Sequence, residues 1–238
     1  MHFRISTFCA KNNLCSKSDA KKYIKHGMLK VNDKIIDKDI LLPSDFNSNR
    51  IEFIKRVIDI QNNKISLLLH KPEGYSSIYT NQSHKWSKNL LIPENRSDED
   101  VKSNFQPSKL KNLIPIIPLE TSVSGLLIYS QNKSLTSLLS DVDEEYHVIF
   151  RDILTDKKLF VLNDEIYLDG VLISPFTVKP ISNHSAFISL KGSSNKLRRA
   201  CLLAGLEVKT LKRVRISNVK LGLLLPGKWK LIRNYEIS

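Results

Sequence analysis

The sequence predicts an α+β protein in which a small N-terminal domain precedes a larger domain with a mostly antiparallel mixed sheet and flanking helices. Two observations support this fold class. The first 60 residues show helical spacing followed by a short hairpin, whereas buried-strand patterns recur from residue 65 onward. The length of 238 residues suits one medium domain and one small one. We therefore expect domains at 1–61 and 62–238.

Two helices are predicted at the start of the first domain. Ile5, Phe8 and Cys9 lie at helical spacing, and their helix ends near residues 12–13. Ser16 suits the N-cap of a second helix, and Gly27 suits its end because glycine readily takes the left-handed conformation. Four lysines of the second helix fall away from its apolar stripe: Lys17, Lys21, Lys22 and Lys25. On an isolated helix such lysines usually form a solvated face.

A hairpin is predicted after the second helix. Two short apolar stretches, 29–31 and 34–36, flank Asn32 and Asp33, which are turn residues that tolerate positive φ. A further strand is expected at 51–54. Two helices followed by a hairpin form a compact α/β unit.

The second domain begins with a buried strand at 65–70 and a proline-glycine turn. Residues 80–112 are polar and predict a long surface loop with one helix. Further strands are predicted at 125–129, 146–150, 165–168, 177–180 and 186–190, with short helices at 134–139 and 155–162. An amphipathic helix at 195–204 ends at Gly205 and leads into a strand at 206–216.

The net charge is strongly basic and unevenly distributed. The chain has 37 Lys and Arg against 24 Asp and Glu, which gives a net charge of +13. Residues 191–238 hold twelve Lys and Arg and only two Glu, so they carry +10 of this charge. A concentrated positive charge favours a polyanionic partner, because neutralised phosphates release counterions.

The positions of the cysteines and the hydropathy of the chain bear on metal binding and on the cellular compartment. Cys9 and Cys201 fall on apolar helical stripes, so they are interpreted as core residues of a reducing compartment. No zinc-like spacing of Cys and His is present, and we expect no metal site. No apolar run is long enough to span a bilayer, and the N-terminus lacks the apolar stretch of a secretory signal. We expect a cytoplasmic protein, or an organellar one in a eukaryotic host.

Three segments, in order, resemble one enzyme family. Residues 67–77, LLLHKPEGYSS, resemble L-x-x-NKP-x-GY. Residues 116–130, IIPLETSVSGLLIYS, occupy the place of GRLD-x-x-(T/S)-x-GL-x-x-x-T. Residues 196–229 resemble QIRRMC-x-x-x-GY-x-V-x-x-L-x-R-x-RI-x-x-x-x-L followed by PG-x-W. These patterns are those of ribosomal RNA pseudouridine synthases of the RsuA/RluF type.

The first domain resembles a second known module. Residues 8–36 resemble the S4 pattern LCSR-x-x-A-x-x-x-I-x-x-G followed by V-x-VNG. The two resemblances together imply a small S4-like (αL-type) RNA-binding domain at 1–61 and a pseudouridine synthase-like catalytic domain at 62–238. They imply structured RNA, above all ribosomal RNA, as the partner, and no metal or nucleotide cofactor. We expect a monomer.

The resemblance also implies catalytic residues. Glu120 stands where the family has its catalytic aspartate, Tyr146 matches the tyrosine of the family's K-x-Y, and Arg198 is expected to pair with the carboxylate of Glu120. The alternatives are a solvated glutamate at a turn for Glu120 and a core residue for Tyr146.

Several residues around this site depart from the family pattern. Glu120 is one methylene longer than aspartate, and a displacement of about 1 Å can cost roughly 10²-fold in rate. Pro118 replaces an arginine, Glu144 replaces the lysine of K-x-Y, Val123 replaces Thr or Ser, and Lys196 replaces glutamine. Together these changes indicate a relaxed constraint on catalysis.

RNA contacts are predicted at nine basic residues: Lys17, Lys21, Lys22, Lys25, Lys71, Lys196, Arg199, Arg213 and Arg215. For Arg213 and Arg215, phosphate contact and ordinary solvation are both open. Two functions stay open as well. The first is RNA binding with weak or lost isomerisation of uridine, and the second is an active ribosomal RNA pseudouridine synthase that uses Glu120. A different structured RNA, such as tRNA, is a third and weaker option.

Overall fold

The computed structural model describes residues 2–80, 85–100, 105–139, 141–173, 176–191, 194–232 and 236. These residues divide into two compact units. The first contains the chain up to Ile65 together with Ser130–Leu138, and the second contains Ser66–Tyr129 and the chain from Leu139 onward.

The first unit contains the two predicted helices, the hairpin and the strand near residues 51–54. Its helices and strands are β1 (His2–Arg4), α1 (Ile5–Lys11), α2 (Lys17–Lys25), β2 (Leu29–Val31), β3 (Lys34–Ile35), β4 (Leu41–Pro43), β5 (Ile51–Phe53), α3 (Lys55–Asn62) and α4 (Leu135–Leu138). Of these, β1, β4 and α3 were not predicted, and α4 was expected in the second domain. Strand β2 pairs antiparallel with both β3 and β5. Strand β1 pairs antiparallel with β4.

Local signals set the bounds of α2 and of the hairpin. The Ser16 side chain accepts a hydrogen bond from the backbone nitrogen of Asp19, as an N-cap does. Gly27 follows the helix with φ +62°, and Asn32 and Asp33 turn the hairpin with φ 47° and 65°. The predicted helix, its end and the hairpin turn are thereby confirmed.

The core of the first unit is formed by one face of each helix and by the hairpin. The predicted stripe residues Ile5, Phe8 and Cys9 of α1 are buried. They belong to one apolar cluster with Ile24 of α2 and Leu29 of β2. Burying this stripe supplies most of the stability of such short helices, which are marginal in isolation.

The second unit consists of a large sheet with flanking helices and short hairpins. Its elements are β6 (Ser66–Lys71), β7 (Tyr75–Ser76), β8 (Lys85–Trp86), β9 (Ile114–Ile116), β10 (Ser124–Ser130), β11 (Asp143–Phe150), α5 (Asp156–Asn163), β12 (Ile166–Leu168), β13 (Val171–Ile173), β14 (Thr177–Ser182), β15 (Ser185–Lys191), α6 (Ser194–Leu203), β16 (Val208–Ile216), β17 (Val219–Lys220) and β18 (Trp229–Ile232). Among the described residues, no helix has the length and apolar character required to cross a membrane.

The main sheet is mixed and mostly antiparallel, which confirms the predicted α+β class. Its strand order is β14-β15-β11-β16-β10-β6-β18, with β17 beside β16 and β9 beside β10. Strand β15 pairs antiparallel with both β14 and β11, and β11 pairs antiparallel with β16. Strands β10 and β16 run parallel. Residues 80–112 differ from the prediction. Where they are described, they form short 3₁₀ turns such as Ser87–Leu90 and Pro107–Leu110 and the short strand β8, without an α-helix.

The parallel contact between β10 and β16 depends on a glycine. Gly125 lies opposite Arg213 in the register and has φ +109°, a conformation that favours glycine. A methyl group at this position would overlap the carbonyl oxygen of Arg213 and lie 2.7 Å from its backbone nitrogen. Both constraints act on backbone atoms, which cannot rotate away. Gly125 therefore permits the two strands to approach.

We expect Gly125→Ala to lower the free energy of unfolding by about 3 kcal/mol or more, because it combines strain in φ with overlap of backbone atoms. Gly170→Ala is the matched control. Gly170 also has positive φ, but nothing lies within 4 Å of an added methyl group, so only a conformational cost of about 1–2 kcal/mol is expected. Urea denaturation of both variants measures the difference, and equal losses would show that the close approach is unimportant.

Candidate active site

Glu120 lies on the segment 117–123 that joins β9 to β10. The backbone nitrogen of Val123 donates to the carbonyl of Glu120 at 3.1 Å, which closes a turn around the glutamate. The Glu120 side chain is exposed, whereas Leu119 and Val123 on either side are buried. The turn therefore presents the carboxylate outward while its neighbours anchor the segment in the core. We call residues 117–126, which comprise this segment and the first three residues of β10, the Glu120 loop.

The backbone of the Glu120 loop is also bonded to residues that follow β6. The buried hydroxyl of Ser77 donates to the carbonyl of Leu119 at 2.8 Å and accepts from its nitrogen at 3.0 Å. The nitrogen of Gly74 donates to the carbonyl of Thr121 at 2.8 Å. These bonds satisfy backbone groups that would otherwise be costly to bury. Ser77 was not among the predicted site residues.

Arg213 fixes both ends of the Glu120 loop. Its side chain, 1% exposed, donates from Nη2 to the carbonyl of Ile117 at 2.7 Å and from Nε to the carbonyl of Leu126 at 2.9 Å. Its Nη1 donates to Oε2 of Glu144 at 2.8 Å, and the Tyr146 hydroxyl donates to the same oxygen at 2.7 Å. We call Arg213, Glu144 and Tyr146 the buried triad.

The first residue of the Glu120 loop is conformationally strained. Ile117 has φ 48°, in the left-handed region that β-branched residues rarely adopt. The family pattern GRLD has glycine at this position, so the sequence contained a signal that was missed. Such strain costs about 1–3 kcal/mol and persists only where surrounding contacts enforce it. The hydrogen bond from Arg213 to the Ile117 carbonyl is one such contact.

Arg213 and Tyr146 require correction. Arg213 was predicted to contact RNA, but its guanidinium is buried and bonded to Glu144 and two carbonyls, so it cannot reach a phosphate. Tyr146 was predicted as a catalytic residue, with a core residue as the alternative; it is 1% exposed and its hydroxyl is bonded to Glu144, as the alternative expects. Burial raises the pKa of the Tyr146 phenol well above its usual range. The structure gives both residues interior roles.

Lys71 is a further correction. It was predicted to bind RNA, but it is the last residue of the buried strand β6 and is 0% exposed. Its Nζ donates to the carbonyls of Pro72 and Tyr75 at 3.1 and 2.7 Å, which holds the turn after the strand. Burial lowers the pKa of Lys71 to about 8; the charge of Glu73 opposes this shift and that of Arg213 adds to it.

Glu120 and Arg198 do not form the predicted ion pair. The Glu120 carboxylate accepts from the hydroxyl of Ser194, the first residue of α6, at 2.8 Å. The half-buried Arg198 donates from Nη2 to the carbonyl of Ser122 at 3.2 Å. Within the described part of the chain its Nε is buried and has no hydrogen-bond partner. Residues 193–195 replace the polar run that the family has after Gly192, and of these positions Gly192 and Ser193 lie outside the described residues.

The remaining basic residues differ in what they contact. The α2 lysines Lys17, Lys21, Lys22 and Lys25 are exposed, as is Lys196 on α6. Arg199 is exposed too, but its guanidinium makes two 2.7 Å bonds to the carboxylate of Asp169, which lowers the pKa of that carboxyl. Arg215 is half-buried, donates to the carbonyl of Ser217 at 3.0 Å and lies 3.7 Å from a carboxylate oxygen of Glu145. The lysines are therefore freer to meet phosphate than the two arginines are.

The buried triad generates a prediction about the Glu120 loop. Glu144→Ala leaves the Arg213 charge buried without its carboxylate, which typically costs about 3–5 kcal/mol. We expect faster hydrogen exchange at the Leu119 and Val123 amides in this variant, because the loop loses its anchor. Glu144→Gln keeps an acceptor oxygen and should show a smaller change. Arg151→Ala, which breaks the exposed pair with Glu207, is the control, and exchange equal to that control would refute the anchoring role.

Lys71 gives stability a pH dependence of defined sign. Its pKa of about 8 in the folded chain lies below its ordinary value of 10.5, so the unfolded chain binds more protons between these values. The contribution of Lys71 to stability therefore rises as pH increases from about 8 to 10.5. We expect the free energy of unfolding of the wild type, minus that of Lys71→Met, to increase across this window in urea titrations. A flat difference would contradict the shift.

Comparisons with known proteins show what the whole chain is similar to. No family model matches the chain. The chain is 25% identical to the dual-specificity RNA pseudouridine synthase RluF of Shigella flexneri, over 98% of this chain and 77% of that protein. It is also 25% identical to uncharacterized RNA pseudouridine synthases of Rickettsia typhi, with 98% of this chain and 92% of that protein covered, and of Aquifex aeolicus, with 99% and 94% covered.

The fold has also been seen in a solved structure. A crystal structure of a pseudouridylate synthase superposes with a TM-score of 0.64 over 99% of this chain and 98% of its own, at 17% identity. Together, the near full-length relatives and the ordered motifs support the resemblance of the chain to RNA pseudouridine synthases of the RsuA/RluF type, and the chain has the fold of a pseudouridylate synthase.

Proposed function

We propose that this protein binds structured RNA, above all ribosomal RNA, and that its isomerisation of uridine to pseudouridine is weak or lost. The observation that carries the proposal is the state of Glu120. Its carboxylate is exposed and bonded to Ser194, and Arg198 is bonded elsewhere. The backbone that would present a catalytic carboxylate is intact, but the carboxylate lacks its arginine.

The chemistry explains why this arrangement disfavours catalysis. A carboxylate that acts on the sugar or base of a flipped uridine must sit at near-attack distance in a site that excludes water. Glu120 has one more rotatable bond than aspartate, and its side chain is exposed, so more conformational freedom must be lost before reaction. Pro118 supplies no charge where the family has arginine. Both changes reduce the stabilisation of the transition state more than they reduce the affinity for RNA.

RNA binding has separate support from the exposed lysines. Lys17, Lys21, Lys22 and Lys25 share one helix. Lys21 and Lys25 line a groove of about 370 Å³ whose other lining residues are Arg4, Ile24, Asp37 and Asp39. Exposed lysines neutralise phosphates without needing a fixed geometry. The relatives that match this chain are named RNA pseudouridine synthases, which supports RNA as the ligand. We assign residues 1–61 an S4-like role and expect a cytoplasmic monomer.

A second candidate function is active pseudouridine synthesis by Glu120. Two observations favour it. The Glu120 loop keeps many backbone bonds and a strained residue, Ile117, and such strain is concentrated at functional sites. The buried Nε of Arg198 also has an unused donor in the described structure, which a ligand oxygen could accept.

The deciding experiment measures pseudouridine formation on the host's ribosomal RNA. We expect the wild-type protein to leave every uridine unmodified or to react slowly, and Glu120→Asp with Pro118→Arg to raise the rate at least about tenfold, since about 1 Å of displacement costs roughly 10²-fold. Glu165→Asp, at an exposed glutamate of the same unit, is the control. Deletion of the gene should remove no pseudouridine. Loss of one modified site on deletion, abolished equally by Glu120→Gln, would establish the second function instead.

A further inference from the structure

Four side chains form a row across one face of the main sheet. The strand register places Lys179 of β14 beside Phe187 of β15, Phe187 beside His147 of β11, and His147 beside Lys212 of β16. The row runs perpendicular to the strands, so its members are separated by about 4.8 Å per strand and its ends by about 14 Å. We call it the Lys-Phe-His-Lys row.

This face of the sheet is the accessible one. Along β11 the residues Tyr146, Val148 and Phe150 are buried, whereas the alternate residues, His147 among them, are half-buried. On β15, Phe187 is likewise half-buried between buried neighbours. Because side chains of a strand alternate between faces, the row lies opposite the packed face. Its aromatic members are thus reachable from solvent while their backbone is fixed in the sheet.

The two rings form a joint aromatic surface. The centroids of His147 and Phe187 lie 5.3 Å apart with the ring planes inclined by 45°. Burial and the nearby charge of Lys212 both lower the pKa of His147, which favours the neutral ring. A neutral imidazole beside a phenyl ring offers two adjacent flat surfaces. Aromatic side chains of this kind are stacking partners for unpaired bases.

Positive charge brackets these rings. Lys179 is exposed and Lys212 half-buried, and neither has an ion pair within 4 Å among the residues described. The nearest acidic residue in the register on this face, Glu145, already has Arg215 at 3.7 Å. The row therefore has the sequence cation, ring, ring, cation and contains no carboxylate.

We propose that the Lys-Phe-His-Lys row binds single-stranded RNA, with bases stacked on Phe187 and His147 and phosphates neutralised by Lys179 and Lys212. An acidic peptide would use the lysines but would leave the paired rings without a role. A nucleic acid strand uses both, because every nucleotide has a flat base and an anionic phosphate. This inference rests on the proposed RNA binding and adds a single-strand contact to it.

The test uses the full chain and a fluorescently labelled oligouridine, with binding followed by fluorescence anisotropy. Phe187→Leu keeps the apolar bulk and removes the aromatic surface. We expect it to weaken oligouridine binding about 5- to 100-fold, in line with the usual loss of base stacking. Phe160→Leu is the matched control, since Phe160 is an exposed phenylalanine on α5 of the same unit. Thermal unfolding of each variant verifies the fold.

Two further arms separate stacking from charge and from the main proposal. Lys179→Gln and Lys212→Gln should each reduce the salt dependence of log Kd by about 0.7, as expected for a single-strand phosphate contact. Duplex RNA of the same length should bind Phe187→Leu as well as it binds the wild type, because paired bases cannot stack on the rings. If Phe187→Leu matches Phe160→Leu on oligouridine, or loses affinity equally for duplex and single strand, the inference is wrong.

Failure of the proposed function would look different. In that case the wild-type protein would not bind folded ribosomal RNA fragments, whereas oligouridine binding would still depend on Phe187. Conversely, a Phe187→Leu variant could bind both folded RNA and oligouridine with full affinity. That result would leave the proposed function standing and would refute RNA binding by the Lys-Phe-His-Lys row.

Discussion

The second unit depends on the hydrogen-bond acceptors that the protein places around one buried guanidinium. Arg213 is always charged at physiological pH, so its burial requires acceptors on every side. Glu144 supplies the opposite charge, and the carbonyls of Ile117 and Leu126 supply the rest. Those carbonyls lie on the segment that carries Glu120, and Gly125 gives the two backbones room to approach. One electrostatic requirement thus determines the geometry of the sheet centre and of the candidate site together.

In the candidate site, the buried residues that hold the backbone, here called the frame, are distinct from the exposed residues that would take part in catalysis. The frame consists of buried groups whose hydrogen bonds are satisfied, including Ser77, Arg213 and Glu144. The chemistry would depend on exposed side chains at Pro118 and Glu120, and both differ from the family pattern. Within the frame Glu144 also differs from that pattern, and Arg213 satisfies its carboxylate. Buried networks resist change because a half-satisfied network costs more than none. Exposed residues can change without loss of the fold, so binding and isomerisation can diverge in one protein.

Local signals in the sequence identified the fold better than they identified the site. Caps, turn residues and period-two strands depend on near neighbours, and Ser16, Gly27 and Asn32 behave as predicted. The prediction for Arg213 was wrong because its partner Glu144 is 69 residues away in sequence. Without that partner, a basic residue on a strand was interpreted as a phosphate contact. For Lys71, its position at the end of a run of buried strand residues could have indicated that it is buried. The family pattern gave the position of Glu120 but not the loss of its arginine partner.

The bond between Arg213 and the Ile117 carbonyl spans 96 residues of chain. Ribosomes make the chain from its N-terminus, so β10 leaves the exit tunnel long before β16 exists to pair with it. Contacts so distant in sequence form slowly, because a long loop must close before any of them is gained. Strand β10, apolar and buried along most of its length in the finished fold, can pair with β6 and β9, which precede it in the chain, but it must wait for β16 during translation. That interval exposes it to chaperones and to aggregation, whereas the N-terminal helices can pack as soon as they emerge.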